Sequence, residues 1–153
     1  MKFSIVLICL FISTHSFSQN GLSEENAKAY IDVFFDGFHK GDTVKMKSVM
    51  SPVMRMQNVY VNTEGSHVTA YIKAEDFLKA IANRAPDQVW EEKLLDYTIS
   101  IDGNLAHVWT PYEFWVNGSF SHCGANSFTL ISTDDGWKIL NVIDSRRRSG
   151  CLD

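Results

Sequence analysis

From Trp90 onward the chain is punctuated by three turn signals, Asp102-Gly103-Asn104, Asn117-Gly118 and Asp134-Asp135-Gly136. Asn, Asp and Gly accept the positive φ that tight hairpin turns demand. The segments between them, WEEKLLDYTISI (90–101), LAHVWTPYEFWV (105–116), SFSHCGANSFTLIST (119–133) and WKILNVIDS (137–145), read as strands. Four long strands in consecutive hairpins form an antiparallel meander. One face of such a sheet must be covered by something else in the chain.

The N-terminal half supplies that cover. Ser23 is placed to cap a helix whose first turn holds Glu24 and Glu25, both favourable at a helix N-terminus. Ala27, Tyr30, Ile31, Phe34 and Phe38 then recur at spacings of three and four, one broad apolar stripe. Gly41 stops the helix, and Asp42 caps a short second one through about Met50, with Val44, Val49 and Met50 turned inward and Pro52 ending it. Residues 53–62 read as a strand, TEGS as a turn before the strand HVTAY, and AEDFLKAIANRA as a third helix. That helix presents Phe77, Leu78 and Ile81 to a core and stops at Pro86. Helices first and strands last make the class α+β.

Residues 1–18 show the order of a secretory signal: Lys2, an apolar run from Ile5 to Ile12, then small Ser16 and Ser18. The run is far short of the roughly 20 residues that span a bilayer. Cleavage near Ser18 leaves residues 19–153 as a single exported domain, secreted or periplasmic, with no membrane partner in its mature form. Of the 14 Lys and Arg only Lys2 is lost, so 13 face 18 Asp and Glu, a net charge of −5. A mildly acidic domain without a basic stripe is a poor nucleic-acid binder. Of three cysteines, Cys9 leaves with the signal, and an even pair in an exported chain favours a bridge. No motif calls for a metal or another cofactor: H-E-x-x-H, H-x-H and C-x-x-C are missing, as is the G-x-S-x-G elbow of serine hydrolases.

Three stretches, FHKGDTVKM (38–46), ISIDGNLAHVWTPYEF (99–114) and DDGWKILNVIDSRR (134–147), resemble the nuclear transport factor 2-like superfamily in order and spacing, including its SnoaL-like and lumazine-binding-like branches. The resemblance spans almost all of residues 19–153. It implies a cystatin-like α+β cone, helices packed in a strongly curved, mainly antiparallel sheet with a pocket at the open end. Members of the superfamily include isomerases, cyclases, dehydratases, ligand binders and protein-binding modules, so the resemblance leaves the chemistry open.

Turn length gives a hairpin register. A two-residue Asn117-Gly118 turn pairs Val116 with Ser119, Glu113 with His122 and His107 with Phe128. A two-residue Asp135-Gly136 turn pairs Ser132 with Ile139, Leu130 with Asn141 and Phe128 with Ile143. His107, Trp109, Glu113, Trp115, His122 and Asn141 then share one face, whereas Tyr112, Cys123 and Asp144 share the other. Both faces carry apolar residues, so alternation leaves open which one meets the helices, and one bulge would exchange them partway along. Glu113 opposite His122 reads either as an acid–base unit or as a plain cross-strand pair. Asp144 and Arg146, two apart, lie on one side of the last strand; the superfamily resemblance offers them a pocket role, and a strand-end ion pair is the alternative. Phe34, Phe38, Tyr60, Trp109, Tyr112 and Trp115 suit either a pocket for a flat apolar ligand or a packed core.

These residues favour non-covalent binding of a small, partly apolar molecule, with Phe34, Phe38, Tyr60, Trp109, Tyr112, Trp115, His122 and Asn141 as its contacts. The alternatives are a cofactor-free isomerase, dehydratase or hydrolase using His122 or His107 with Glu113 or Asp144 and Arg146, or a pure interaction module. A homodimer through the outer sheet face is expected. Continuing the last hairpin places Cys123 opposite Arg148, and a tail turning at Ser149-Gly150 returns Cys151 to within bridging distance. Gly124 reads as room for a bend in the strand.

Overall fold

The computed structural model describes residues 21–151. The signal segment proposed for residues 1–18 lies outside them. Helix α1 (Glu24–Lys40) begins where Ser23 accepts a hydrogen bond from the Asn26 backbone N–H, and ends at Gly41 with φ +72°. Asp42 caps α2 (Thr43–Val49) by accepting from the Lys45 N–H at 2.9 Å. One expectation fails here: Val44 is exposed, and Met46 is the buried residue of that turn. The chain then extends at once into β1 (Met50–Val61), so Pro52 lies in a strand and the helix ends before it. After β2 (His67–Lys73) come α3 (Ala74–Ala82), β3 (Trp90–Leu94), β4 (Thr98–Asp102), β5 (Leu105–Val116), β6 (Ser119–Thr133) and β7 (Gly136–Arg147).

The seven strands make one curled, unclosed, mixed sheet in the order β2-β1-β7-β6-β5-β3, with β4 beside β3 on the same edge of β5. All pairings are antiparallel except β1 with β7. The stretch read as one strand, 90–101, is two: Leu95 to Tyr97 leave the ladder between β3 and β4. The α+β cone with its mainly antiparallel sheet is the architecture observed.

The concave face holds the core. From α1, Ile31, Phe34, Phe35 and Phe38 press against Phe128, Leu130 and Val108 of the sheet, and Leu78 and Ile81 of α3 complete the cover. Phe34 and Phe35 both meet the Phe128 ring edge-on, at 5.9 and 6.0 Å between centroids. Each such fully buried side chain contributes about 1.5–3 kcal/mol by leaving water. Arg84, just beyond α3, donates to the Phe38 and His39 carbonyls and so satisfies acceptors at the end of α1.

Two bulges correct the expected register. Val116 pairs Ser119 as read from the Asn117-Gly118 turn, but Trp115 then pairs Phe120 and Phe114 pairs His122, so Ser121 is an extra residue. Glu113 therefore faces Cys123, and His107 faces Thr129. In the last hairpin Thr133 pairs Gly136, which makes Asp134-Asp135 the turn. A second irregularity between Thr129 and Leu130 leaves Leu130 opposite Ile139, Phe128 opposite Val142 and Cys123 opposite Arg147. The disulfide between Cys123 and Cys151 is formed, with 5.8 Å between Cα atoms. No helix among the described residues is long and apolar enough to cross a membrane. The bridge is compatible with a secreted or periplasmic protein.

Candidate functional site

Between α1, α3 and the concave sheet lies a cavity of about 350 Å³. Most of its wall is apolar: Phe34, Phe35 and Phe38 from α1, Phe77 and Ala80 from α3, Met56, Ile72, Trp90, Phe114 and Val142 from the strands. The rings form a slab. Phe77 lies nearly parallel to Phe34 at 6.4 Å and to Phe38 at 6.1 Å, and Phe38 stacks on Trp90 at 6.1 Å. The Arg84 guanidinium sits 5.2 Å from the Trp90 ring centre. Offset rings at these separations attract one another beyond their buried area, which holds the wall in place.

One part of the lining is polar: Gln57, Asn58, Glu92, His122, Asp144 and Arg146. Strand parity brings Glu92 there. In WEEKL the burial alternates, and Trp90, Glu92 and Leu94 turn inward while Glu91 and Lys93 face out. The Glu92 backbone N–H donates to His39 Nε2 at 2.9 Å, which ties β3 to α1 and leaves the His39 proton on Nδ1. The carboxyl Oε1 accepts from Asn126 Nδ2 at 2.6 Å, and Asn126 is itself buried. The Glu92 side chain is half-buried and lines the cavity among mostly apolar neighbours. Burial, reinforced by the nearby Asp144 charge, pushes its pKa up to about 8, against the opposing pull of Asn126 and Arg146.

Asp144 is the hub beside it. It accepts from Tyr112 Oη at 2.5 Å and from Arg146 Nε at 2.5 Å. With the Asn58 amide oriented to satisfy both neighbours, its nitrogen donates to Asp144 Oδ2 at 3.3 Å and its oxygen accepts from Arg146 Nη2 at 3.0 Å. Burial raises the Asp144 pKa, and Arg146 works against that rise. Tyr112 is held protonated far above its ordinary range by burial and by the Asp144 charge. Gly124 sits opposite Tyr112, and a Cβ there would stand 1.7 Å from the Ser145 carbonyl oxygen and 2.8 Å from the tyrosine ring. Gly124 thus makes room for Tyr112 and β7, which is more than the bend first expected. His122 leans on Phe114 at 4.9 Å, with Nδ1 3.1 Å from Ser121 Oγ. Burial, then Arg146 and Arg148, lower its pKa to about 4, so it is neutral near neutral pH.

The structure gathers some of the expected site residues and disperses others. Phe34, Phe38, His122, Asp144 and Arg146 line the cavity. Tyr112 is buried behind it, bonded to Asp144. Tyr60 lies more than a third exposed, opposite Arg146 in the β1–β7 pairing. The Ser121 bulge sends His107, Trp109, Glu113 and Trp115 to the convex face, and Asn141 joins them there opposite Thr129. Glu113 accepts from Trp115 Nε1 at 3.0 Å, and His107 pairs with Ser127 Oγ at 2.9 Å, so neither carboxylate nor imidazole reaches His122. The Glu113–His122 unit does not exist. Its place is taken by Glu92, Asn126 and Asn58, which the sequence reading passed over; for Glu92 the signal was its parity with Trp90 and Leu94.

This geometry belongs to a widespread architecture. A cystatin-like-fold protein of unknown function from Nostoc punctiforme is 10% identical, with 84% of this chain and 96% of that one aligned at a TM-score of 0.61. An NTF2-like protein from Cytophaga hutchinsonii is 11% identical, with 82% and 100% covered at 0.62. A nuclear transport factor 2-like superfamily protein from Salmonella enterica serovar Typhimurium is 15% identical, with 84% and 93% covered at 0.62. No curated protein matches the sequence significantly. The chain shares the fold of these nuclear transport factor 2-like proteins; residues 23–143 match the family described as "Putative lumazine-binding", and the chain therefore belongs to that lumazine-binding-like family.

Proposed function

We propose that the protein is exported and binds a small, partly apolar molecule non-covalently in the cone. The observation that carries this reading is the 350 Å³ cavity, walled by stacked aromatic rings and carrying a few convergent polar groups. Both the size and the division of labour suit a small-molecule site, in which apolar walls supply affinity and sparse polar groups fix orientation. Mass spectrometry under native conditions, on protein purified without denaturation, is expected to detect a bound small molecule or to capture an added aromatic one. Ala80→Trp, which thrusts an indole into the cavity from α3, should abolish that capture. Unchanged capture by the Trp variant would place binding elsewhere and defeat the reading.

Cofactor-free proton transfer is a second reading, favoured by one observation. Glu92, which keeps its proton to about pH 8, and His122, which stays neutral down to about pH 4, line the same cavity. An acid and a base of that kind can shift a proton next to a carbonyl. Deuterium exchange at the methyl group of an aryl methyl ketone, followed by NMR, should then be catalysed and should disappear in His122→Asn. Exchange at the background rate leaves binding as the function. The convex face, where Leu105 and Trp109 are 49% and 42% exposed, is the surface we assign to a second copy of the chain.

A further inference from the structure

The polar lining of the cavity contains an acid with no cation of its own. Glu92 makes no ion pair among the described residues, and one of its oxygens is occupied by Asn126 Nδ2 at 2.6 Å. The other oxygen is left for the cavity. The one cation in the lining, Arg146, is already committed, with Nε on Asp144 and Nη2 on Asn58. Asp144 and Arg146 cancel in charge, and His122 is neutral, so the polar lining has no surplus positive charge to offer. An ionised Glu92 would lie beside Asp144 in an apolar chamber, an unfavourable arrangement that is relieved by keeping a proton.

A protonated carboxyl is a different recognition group from a carboxylate, because it donates one O–H and is uncharged. We propose that the Glu92 carboxyl is the recognition donor of the cavity, and that it selects uncharged apolar molecules presenting a hydrogen-bond acceptor, such as an aryl ketone or lactam carbonyl, over the matching carboxylates. The inference rests on the binding reading above and adds to it the charge and hydrogen-bonding class of the ligand. A carboxylate entering this chamber would lose its hydration, meet only a cation whose charge Asp144 already balances, and stand beside that acid. A carbonyl would gain the O–H of Glu92 and leave no charge buried.

The groups facing Glu92 set its titration. His39 of α1 accepts its backbone N–H, Asp144 and Arg146 of β7 act on its carboxyl, and Tyr112 of β5 lies within reach of its charge. His122 of β6 shares the cavity, and Glu91 and Lys93 on β3 itself point outward. Between pH 6 and 9.5 Tyr112 keeps its proton and His122 stays neutral, so neither adds to the change in charge that ionisation of Glu92 brings to the cavity.

The test uses two probes with one ring system, 2-acetylnaphthalene and 2-naphthoate, added to the purified, disulfide-bonded protein and followed by tryptophan quenching, since Trp90 lines the cavity. At pH 6 the ketone should bind about tenfold more tightly than naphthoate, the factor that one buried hydrogen bond sets. Its affinity should fall as pH rises through 8. Glu92→Gln keeps a donor and should hold ketone affinity within about threefold while losing the pH dependence. Glu92→Met, its fold checked by circular dichroism, should bind the ketone about tenfold more weakly and so narrow the preference between probes. Naphthoate binding as tightly as the ketone, or wild-type ketone affinity flat from pH 6 to 9.5, overturns the donor assignment and leaves the cavity reading standing. If neither probe binds, both readings fall. The wild-type comparison decides the matter even if a variant does not fold.

Discussion

The proton on Glu92 can be weighed without any ligand, because it is linked to stability. In the unfolded chain its carboxyl titrates at its ordinary value of 4.5, and in the folded protein at about 8. Between those values the native state holds a proton that the unfolded chain has released. Stability therefore falls as pH rises across this window, by up to ~1.4 kcal/mol per pH unit. His122 acts in the opposite sense. Its ordinary value is 6.5 and its folded value about 4, so between them the unfolded chain takes a proton that the native state refuses. That makes stability rise with pH, at the same limiting slope of ~1.4 kcal/mol per unit. From pH 4.5 to 6.5 the two slopes oppose and nearly cancel. Above 6.5 the rise from His122 ends while the fall from Glu92 continues, amounting to about 2 kcal/mol by pH 8. Burial of Asp144 and of His39 adds to one slope each, but in both wild type and a Glu92 variant. The perturbation is Glu92→Gln, and the assay is urea unfolding of the disulfide-bonded protein at pH 5 to 9, read by tryptophan fluorescence. The Gln variant should show a rise up to pH 6.5 and then a plateau, while wild type is flat and then declines. Curves for the two proteins that run parallel from pH 6 to 8.5 would refute the assignment of a proton to Glu92.

Three further outcomes are expected. Gly124→Ala puts a methyl 1.7 Å from the Ser145 carbonyl oxygen, a backbone atom that cannot swing away, and displaces the Tyr112 hydroxyl from Asp144. Overpacking at about 1–3 kcal/mol plus a hydrogen bond to a charged group predicts a loss of about 3–5 kcal/mol in urea unfolding, and a loss under 1 kcal/mol would contradict the packing described. Replacing Cys123 and Cys151 together by Ser releases a loop closed over a separation of 28 residues, which on the chain-entropy relation costs ~3.5 kcal/mol; an unchanged midpoint would show that the bridge adds nothing. Sedimentation equilibrium should find a dimer that Trp109→Glu dissociates, and a wild-type monomer at all concentrations would dismiss the convex face as an interface.

Much of the fold was legible because its punctuation is local. Ser23, Gly41, Asp42 and Asn117-Gly118 each act through one or two backbone groups, and they stand where the sequence places them. Register is a sum over long strands, and there the reading failed for identifiable reasons. Ser121 adds one residue to β6 in a segment, SFSHCGANSF, whose polar and apolar side chains keep no strict alternation, so nothing in the pattern marks the slip. That single residue moved His122 to the concave face and left Glu113 and His107 on the convex one. At the last turn Asp134-Asp135 and Asp135-Gly136 both satisfy hairpin chemistry, and only pairing along the whole of β6 and β7 chooses between them. The disulfide survived these errors because the displacement at Arg147 and Arg148 was one residue, which a short tail can absorb. Glu92 was legible and overlooked. It stands between Trp90 and Leu94 at period two, and an acid flanked by inward apolar residues is the pattern of a buried functional group.

The alternative posed by the aromatic residues, core or pocket, dissolves in the packing. Phe34 is 3% exposed and meets the buried Phe128 ring on one side while lining the cavity on another, and Phe38 is placed likewise between Phe35 and Trp90. The wall of the cavity is thus the outer surface of the core, and its rings cannot relax inward without opening the fold. The polar groups are fixed by a separate device. Asp144 and Arg146 reach the cavity from β7 and His122 from β6, while Asn126 of β6 holds the Glu92 carboxyl, and their spacing is the register of those two strands: Gly124 with Arg146, Asn126 with Asp144. The Cys123–Cys151 bridge holds β6 at this point, one residue from His122 and opposite Arg147. Its contribution to stability acts mainly on the unfolded chain, and its position ties the tail after β7 to β6, beside the ladder whose register spaces these polar groups. A site that must present one proton-bearing oxygen at a defined place gains more from such fixing than from additional contacts, because each group then needs no reordering when a ligand arrives.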